Sequence, residues 1–254
     1  MAIHLLAIET ATEACSVALV YGDSIVARHE LAPRRHAELV LPMIDGVLAE
    51  AGLARGAIDA IAVGRGPGAF TGVRLAISVA QGLALGLDRP IVPVSTLAAL
   101  ALEASVESAS REQETDVGGA SAPIAAPDLI IAALDARMGE VYAACYEADA
   151  DGLVTAVTEE AVCEASRWVV PVCDAYVGAG SGWAAYRTAL ASCLAHPPRL
   201  VLPDLLPRAT SIARLALREL ALGRTVDAAH AQPVYLRDKV ALTVAEQSAL
   251  KAAR

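Results

Sequence analysis

One pattern of strands and turns occurs twice in this chain, and it limits the possible folds more than any single motif. In the first copy an apolar strand, 3–8, runs into the acid Glu9. A turn through 9–13 leads to a second strand, 14–20, and Tyr21, Gly22 and Asp23 turn the chain into a third, 25–31. In the second copy 129–134 reads as a strand ending at Asp135, 137–140 as a turn, 141–146 as a strand, 149–152 as a turn and 154–162 as a third strand. A repeat this long in the same order points to an internal duplication, hence to two related lobes that each begin with a three-strand meander.

The segments after each meander alternate helix and strand. Residues 36–51 place Val40, Ile44, Val47, Leu48 and Ala51 at helical spacing, with Pro42 at a kink or in the first turn and Gly52 as the stop. A buried strand at 58–63 leads through a glycine loop, 64–74, into a helix at 75–87. Strand 91–94 follows, and Ser95 caps a helix reaching about residue 106. Composition then shifts to Ser, Glu, Gly, Ala and Pro over 107–128, which reads as a surface loop or inter-lobe linker. In the second half, 176–177 with the glycines at 178, 180 and 182 forms a strand and turn, 183–194 a helix, and 211–222 an amphipathic helix ended by Gly223. The expected fold is α/β: lobes at 1–103 and 104–230, each a mixed sheet with flanking helices, and a return segment, 231–254, packing on the first lobe through Tyr235 and Arg237.

Composition narrows the function classes. Of 254 residues, 56% are hydrophobic and 19% charged, so the chain is globular rather than disordered. A single Phe leaves the core to Leu, Val, Ile and Ala. The apolar run 75–87 is too short to span a bilayer, and the N-terminus lacks the basic region of a signal peptide. Five cysteines with no C-x-x-C pair suggest reduced thiols in a cytoplasm. A net charge of −9 argues against a large nucleic-acid face, which needs clustered Lys and Arg.

The loop GRGPGAFTGVR has two readings. A strand, a glycine loop and a helix N-terminus, with Thr71 as N-cap, make a phosphate site in which Arg65, Gly66, Gly68, Thr71 and Arg74 would be the contacts. No Gly-Lys-Ser/Thr closes the loop and no G-x-G-x-x-G is present, so it equally suits a turn that lets a helix lie close on its sheet. Arg137 stands beside a second glycine turn and admits the same two readings. The helix that follows the loop has no charged face, and a helix apolar all round is covered all round. Its small residues Ala76, Ala80 and Ala84, with Val73, and His36, Val40, Met43 and Val47 on the preceding helix, are candidates for an inter-subunit contact. A second layer of the same chain is the competing cover.

GRGPGAFTGVR followed by AQGLAL, together with AIETATEACSVAL (7–19), LDARMGEVY (134–142) and PVYLRD (233–238), resembles the TsaB (YeaZ) family along most of the chain. The resemblance implies two actin-like (ASKHA) lobes and a non-catalytic partner subunit in the synthesis of threonylcarbamoyladenosine on tRNA. It implies a TsaD-like catalytic subunit and a TsaE-like ATPase as partners, a homodimer when alone, and tRNA reached only through the complex. ATP or ADP would sit at the complex interface, with no cofactor in this chain and no membrane contact. The catalytic relative TsaD carries two metal-binding histidines four residues apart; Thr96 and Leu100 occupy those positions here, so neither a metal nor a catalytic residue is expected. The family usually has Asp where Glu9 stands. Two alternatives are an active phosphotransferase, in which Glu9 and Asp135 would hold Mg²⁺ or take a proton from a hydroxyl, and a metallopeptidase homologue. The latter is opposed by five histidines (4, 29, 36, 196, 230) with no H-x-x-x-H among them.

Overall fold

The structure is a computed structural model that describes residues 3–115 and 129–237. The first meander is β1 (His4–Glu9), β2 (Ala14–Tyr21) and β3 (Ser24–Leu31), followed by α1 (His36–Ala51), β4 (Ala60–Gly64), α2 (Phe70–Leu87), β5 (Ile91–Val94) and α3 (Thr96–Thr115). The second half contains β6 (Leu129–Arg137), β7 (Glu140–Ala148), β8 (Val154–Ala156), β9 (Ala161–Glu164), β10 (Tyr176–Ala179), α4 (Ser181–Ser192), β11 (Leu200–Leu202) and α5 (Ala209–Ala221). The first sheet has the order β3-β2-β1-β4-β5, with β1, β4 and β5 parallel and the meander antiparallel. The second repeats it as β11-β10-β6-β7, with β8 and β9 both along the outer side of β7. The duplicated pattern is therefore a duplicated topology of two actin-like lobes.

The third strand of the second meander is broken where a continuous one was expected. Tyr146 pairs with Ala156 and Ala143 with Ala161, so the outer strand carries two residues more than β7 supplies opposite them. The surplus bulges out at 157–160. Val157 N–H donates to Cys145 O, and Thr158 Oγ1 accepts the Cys145 N–H at 2.9 Å, replacing the lost ladder bond.

The sheets are joined by an exchange of helices. α3, which follows the first sheet in the chain, packs on β6, β7, β8 and β10 of the second. α5, which follows the second sheet, packs on β1, β2, β4 and β5 of the first. Leu97, Leu100 and Ala104 of α3 share one core with Ile130 and Ala132, and Ile212, Leu215 and Ala216 of α5 share it with Leu5, Ala62 and Val92. Between the two helices the Glu103 carboxylate accepts from Ser211 Oγ at 2.7 Å and Thr210 Oγ1 at 3.3 Å. A division of the chain at 103–104 cuts α3 midway, and that helix belongs by packing to the second sheet. Each buried Leu, Ile or Val side chain in this layer contributes about 1.5–3 kcal/mol, so the lobes are held as one body.

On the outer side of the first sheet, α1 packs on β2 and β3, and α2 lies along β4. α1 runs unbroken through Pro42, beyond its first turn, and ends at left-handed Gly52. α2 begins at Phe70 after Ala69, so Thr71 sits in its first turn and is not the N-cap; no side chain caps this helix. By length and composition α2 could cross a bilayer, but it lies with Ala76, Ala80 and Ala84 buried against its own sheet. Ser95 caps α3 as expected, its Oγ accepting the Ala98 N–H at 3.1 Å. α3 extends to Thr115, nine residues beyond the expected end, because 107–115 continues the helix. The remainder of the expected linker, 116–128, and the tail, 238–254, lie outside the described residues.

Candidate functional site

The carboxyl ends of β1, β4 and β5 converge on Glu9. Its side chain is 1% exposed. Oε1 accepts the Ala11 N–H at 2.6 Å and Oε2 accepts the Thr96 hydroxyl at 3.0 Å. Burial pushes this carboxyl up to about 7, with the bonds from Ala11, Thr96 and Thr10 pulling partway back. Gly64 makes the enclosure possible, since a Cβ there would lie 2.0 Å from Glu9 Oε2. Leu100, one turn after Thr96, is fully buried. Both positions that the resemblance aligns with metal-binding histidines are thus engaged, one by the carboxylate and one by the core.

The glycine loop is filled by its own chain. Ala69 N–H donates to Ala11 O at 2.7 Å, and Thr10 Oγ1 donates to Gly72 O at 2.7 Å. A Cβ on Gly72 would stand 2.0 Å from Thr10 O, and one on Gly68 2.5 Å from Ala11 O. The turn after β1 occupies the ground a phosphate would need at the start of α2. Of the five candidate contacts, Arg65 points to the second lobe, Gly66 lies under the return segment near Val234, and Gly68 packs on Ala11. Thr71 is exposed. Arg74 lies 3.6 Å over the Phe70 ring and donates to Tyr235 Oη at 2.6 Å. The five do not converge on one point.

Arg65 makes the main polar bridge between the lobes. Its Nη1 and Nη2 donate to the two oxygens of Glu160 at 3.0 and 3.2 Å, and Ser95 Oγ donates to the same carboxylate. Tyr146 Oη is 3.4 Å from Ser95 Oγ. These residues line one wall of a cavity of about 820 Å³ between the lobes, whose other walls include Val154, Leu215, Arg218 and Leu236. Sequence reasoning missed Glu160; the signal was the pair Glu159 and Glu160 interrupting an otherwise apolar strand. The return segment fastens both lobes: Val234 N–H donates to Arg65 O and Gln81 Nε2 to Ala231 O, whereas Arg237 donates to Ala136 O at 3.0 Å and to Glu140. Arg237 therefore reaches the second lobe and not the first.

The candidate interface residues lie mostly inside. Val40, Val47, Val73, Ala76, Ala80 and Ala84 are buried in the core beneath the first sheet, so they cannot touch another subunit without unfolding their own. Met43 and His36 are half-buried, and His36 Nε2 is 2.9 Å from Thr12 O. The outward face of α2 carries Ser78, Gly82, Leu85 and Gly86 instead, with Leu85 80% exposed. Asp135 takes a local role: Oδ1 accepts the Arg137 N–H at 2.7 Å and the Tyr186 hydroxyl at 3.2 Å, and Oδ2 pairs with Arg137 Nη1 at 3.0 Å. Among the described residues no three His, Cys, Asp or Glu side chains are grouped to hold a metal.

The family model for TsaD, tRNA N6-adenosine threonylcarbamoyltransferase, matches residues 28–243. The tRNA threonylcarbamoyladenosine biosynthesis protein TsaB of Escherichia coli is 41% identical over 94% of this chain and 96% of its own length. Its Haemophilus influenzae namesake is 37% identical over 93% and 94%. The solved structure of YeaZ from Pseudomonas aeruginosa superposes with a TM-score of 0.78 at 42% identity, covering 92% of this chain and all of that one.

Proposed function

The chain belongs to the TsaB (YeaZ) family, and we propose that it serves the biosynthesis of threonylcarbamoyladenosine in tRNA as a subunit that performs no chemistry itself. Its role is to hold a TsaD-like catalytic subunit in a competent arrangement and to offer a docking edge to a TsaE-like ATPase. The observation that carries this reading is the enclosure of Glu9. The carboxylate is committed to Ala11 and Thr96 beneath Gly64, and Leu100 fills the neighbouring position. A substrate or Mg²⁺ would have to displace packed core to reach it. The exchanged helices add a second support: a body whose lobes share one core is suited to act as a fixed platform.

Partner binding falls to the outward face of α1 and α2, which exposes Leu41 and Leu85, with Phe70 exposed at the start of α2. The same face would join two copies when the protein is alone. With a net charge of −9, tRNA is engaged through the partner, and ATP or ADP at the complex interface. The expected compartment is the cytoplasm. By binding one arrangement of the catalytic subunit better, the chain raises its population. Reconstitution with a TsaD-like subunit, a TsaE-like ATPase, threonylcarbamoyl-adenylate and tRNA tests this. Omitting the chain should abolish most of the modified nucleoside, and the chain alone should make none; unchanged yield without it, or transfer by it alone, defeats the reading. Leu85→Arg should weaken co-elution with the catalytic subunit at least tenfold while leaving the melting temperature unchanged.

A further inference from the structure

Glu160 is held as a bound anion is held. It is presented by the bulge 157–160, whose surplus residues break the β7 ladder and aim the side chain across to the first lobe. Both carboxylate oxygens meet the Arg65 guanidinium in a forked pair, at 3.0 and 3.2 Å, and the Ser95 hydroxyl closes on one of them. A planar guanidinium fork with an adjoining hydroxyl is also the donor set that takes a free carboxylate or phosphate. Arg65 is 27% exposed and Glu160 13%, so the pair lies at the cavity wall, within reach of solvent. The cavity of about 820 Å³ that opens on it is within the range that holds small molecules. Arg218, on another wall, is likewise neutralised from within, by Asp149 at 2.7 Å.

We propose that Arg65 and Ser95 form an anion site for a phosphate-bearing small molecule, and that Glu160 is its built-in competitor, so that ligand entry and release of the inter-lobe bridge are the same event. This goes beyond the partner role above and does not depend on it. Nothing covalent is involved: the anion takes the two guanidinium N–H bonds and the hydroxyl bond, and the Glu160 carboxylate turns out to water with its charge unchanged.

Inorganic pyrophosphate is the probe, titrated by calorimetry at low salt into the full-length protein and its variants. Glu160→Ala should bind at least tenfold more tightly than the unaltered chain, and Arg65→Ala introduced into that variant should return binding to background. Circular dichroism establishes that each variant is folded, and Glu160→Gln, which keeps the side chain's shape, replaces Glu160→Ala if the latter is not. In the unaltered chain, saturating pyrophosphate should speed amide exchange at Thr158–Glu160 severalfold. Equal affinity with and without Glu160, binding that survives loss of Arg65, or exchange at 158–160 that pyrophosphate leaves unaltered overturns the proposal.

Discussion

Glu9 is the last residue of β1, whereas Asp135, expected to end the equivalent strand of the second meander, lies two residues inside the end of β6 at a bulge, and the two acids meet opposite environments. Glu9 is sealed: its partners are a backbone N–H and a hydroxyl, and Gly64 leaves just enough room for the carboxylate. Asp135 sits at the rim, 15% exposed, against the Arg137 guanidinium, itself 85% exposed, and the Tyr186 hydroxyl. The difference follows from what succeeds each sheet. In the first lobe the glycine loop folds over the turn after β1, and Ala69, Gly72 and Thr10 lock the two together. In the second, α4 starts directly after Gly180, and Ser181 Oγ accepts the Asp135 N–H without covering the acid. An acid at or near the end of the first meander strand thus has no fixed role in this architecture; the loop packed over it decides whether it is a buried carboxyl or a turn residue.

Tightness of the covering loop is the first thing to break. Gly72→Ala, in the first turn of α2, places a Cβ 2.0 Å from a backbone carbonyl and, even with a helix-propensity gain of up to about 1 kcal/mol, should cost about 3–4 kcal/mol, measured by urea unfolding. Gly182→Ala, in the second lobe, meets Ala133 at 2.9 Å and gains helix propensity of up to about 1 kcal/mol, so it should cost no more than about 1–2 kcal/mol. Equal losses would mean that the two loops are equally tight.

The protonation of Glu9 comes next in size. Its carboxyl is raised from 4.5 to about 7 in the folded state, so between those values the folded chain holds a proton that the unfolded chain releases. Stability contributed at this site is therefore fully present below about pH 4.5 and lost as pH rises to about 7, a change of about 3 kcal/mol at about 1.36 kcal/mol per pKa unit. Glu9→Gln removes that dependence. It should stabilise the protein by about 3 kcal/mol at pH 8 and change little at pH 4.5, as read from unfolding curves at both values. A variant no more stable than the parent at pH 8 would show that the carboxylate is better solvated than its surroundings imply.

The smallest effect should come from the exposed partner of this comparison. Asp135→Asn keeps an oxygen for the Arg137 N–H and the Tyr186 hydroxyl and gives up an ion pair to a mostly exposed guanidinium. A loss below about 1 kcal/mol is expected, shrinking further in high salt. A loss as large as that of the Gly72 variant would place Asp135 among the structural acids of the core.

Much of this was legible in the linear chain because it is local. The alternation of 14–20 and 25–31, the spacing of Val40, Ile44, Val47 and Leu48, and the strand-acid-turn order of the first meander depend only on neighbours a few residues apart, and those elements stand where the pattern puts them, whereas in the second meander β6 runs on through Asp135 to Arg137 and the third strand is split. The four stretches shared with the TsaB family likewise placed the chain in its family. Tertiary packing alone decided the rest. Beyond Arg74, α2 carries no charge and mostly apolar or small residues, so charge along 75–87 does not say whether Ala80 or Leu85 faces the sheet; the close approach to β4 selects the alanines. α3 and α5 each carry a stripe of Leu and Ala that would fit either sheet, and the exchange between lobes is settled by which sheet lies above each stripe once the duplication folds back on itself. Arg65 and Glu160 lie far apart in the chain, and only the bulge at 157–160 brings them together, because a pairing of opposite charges carries no information about distance until the backbone has fixed it.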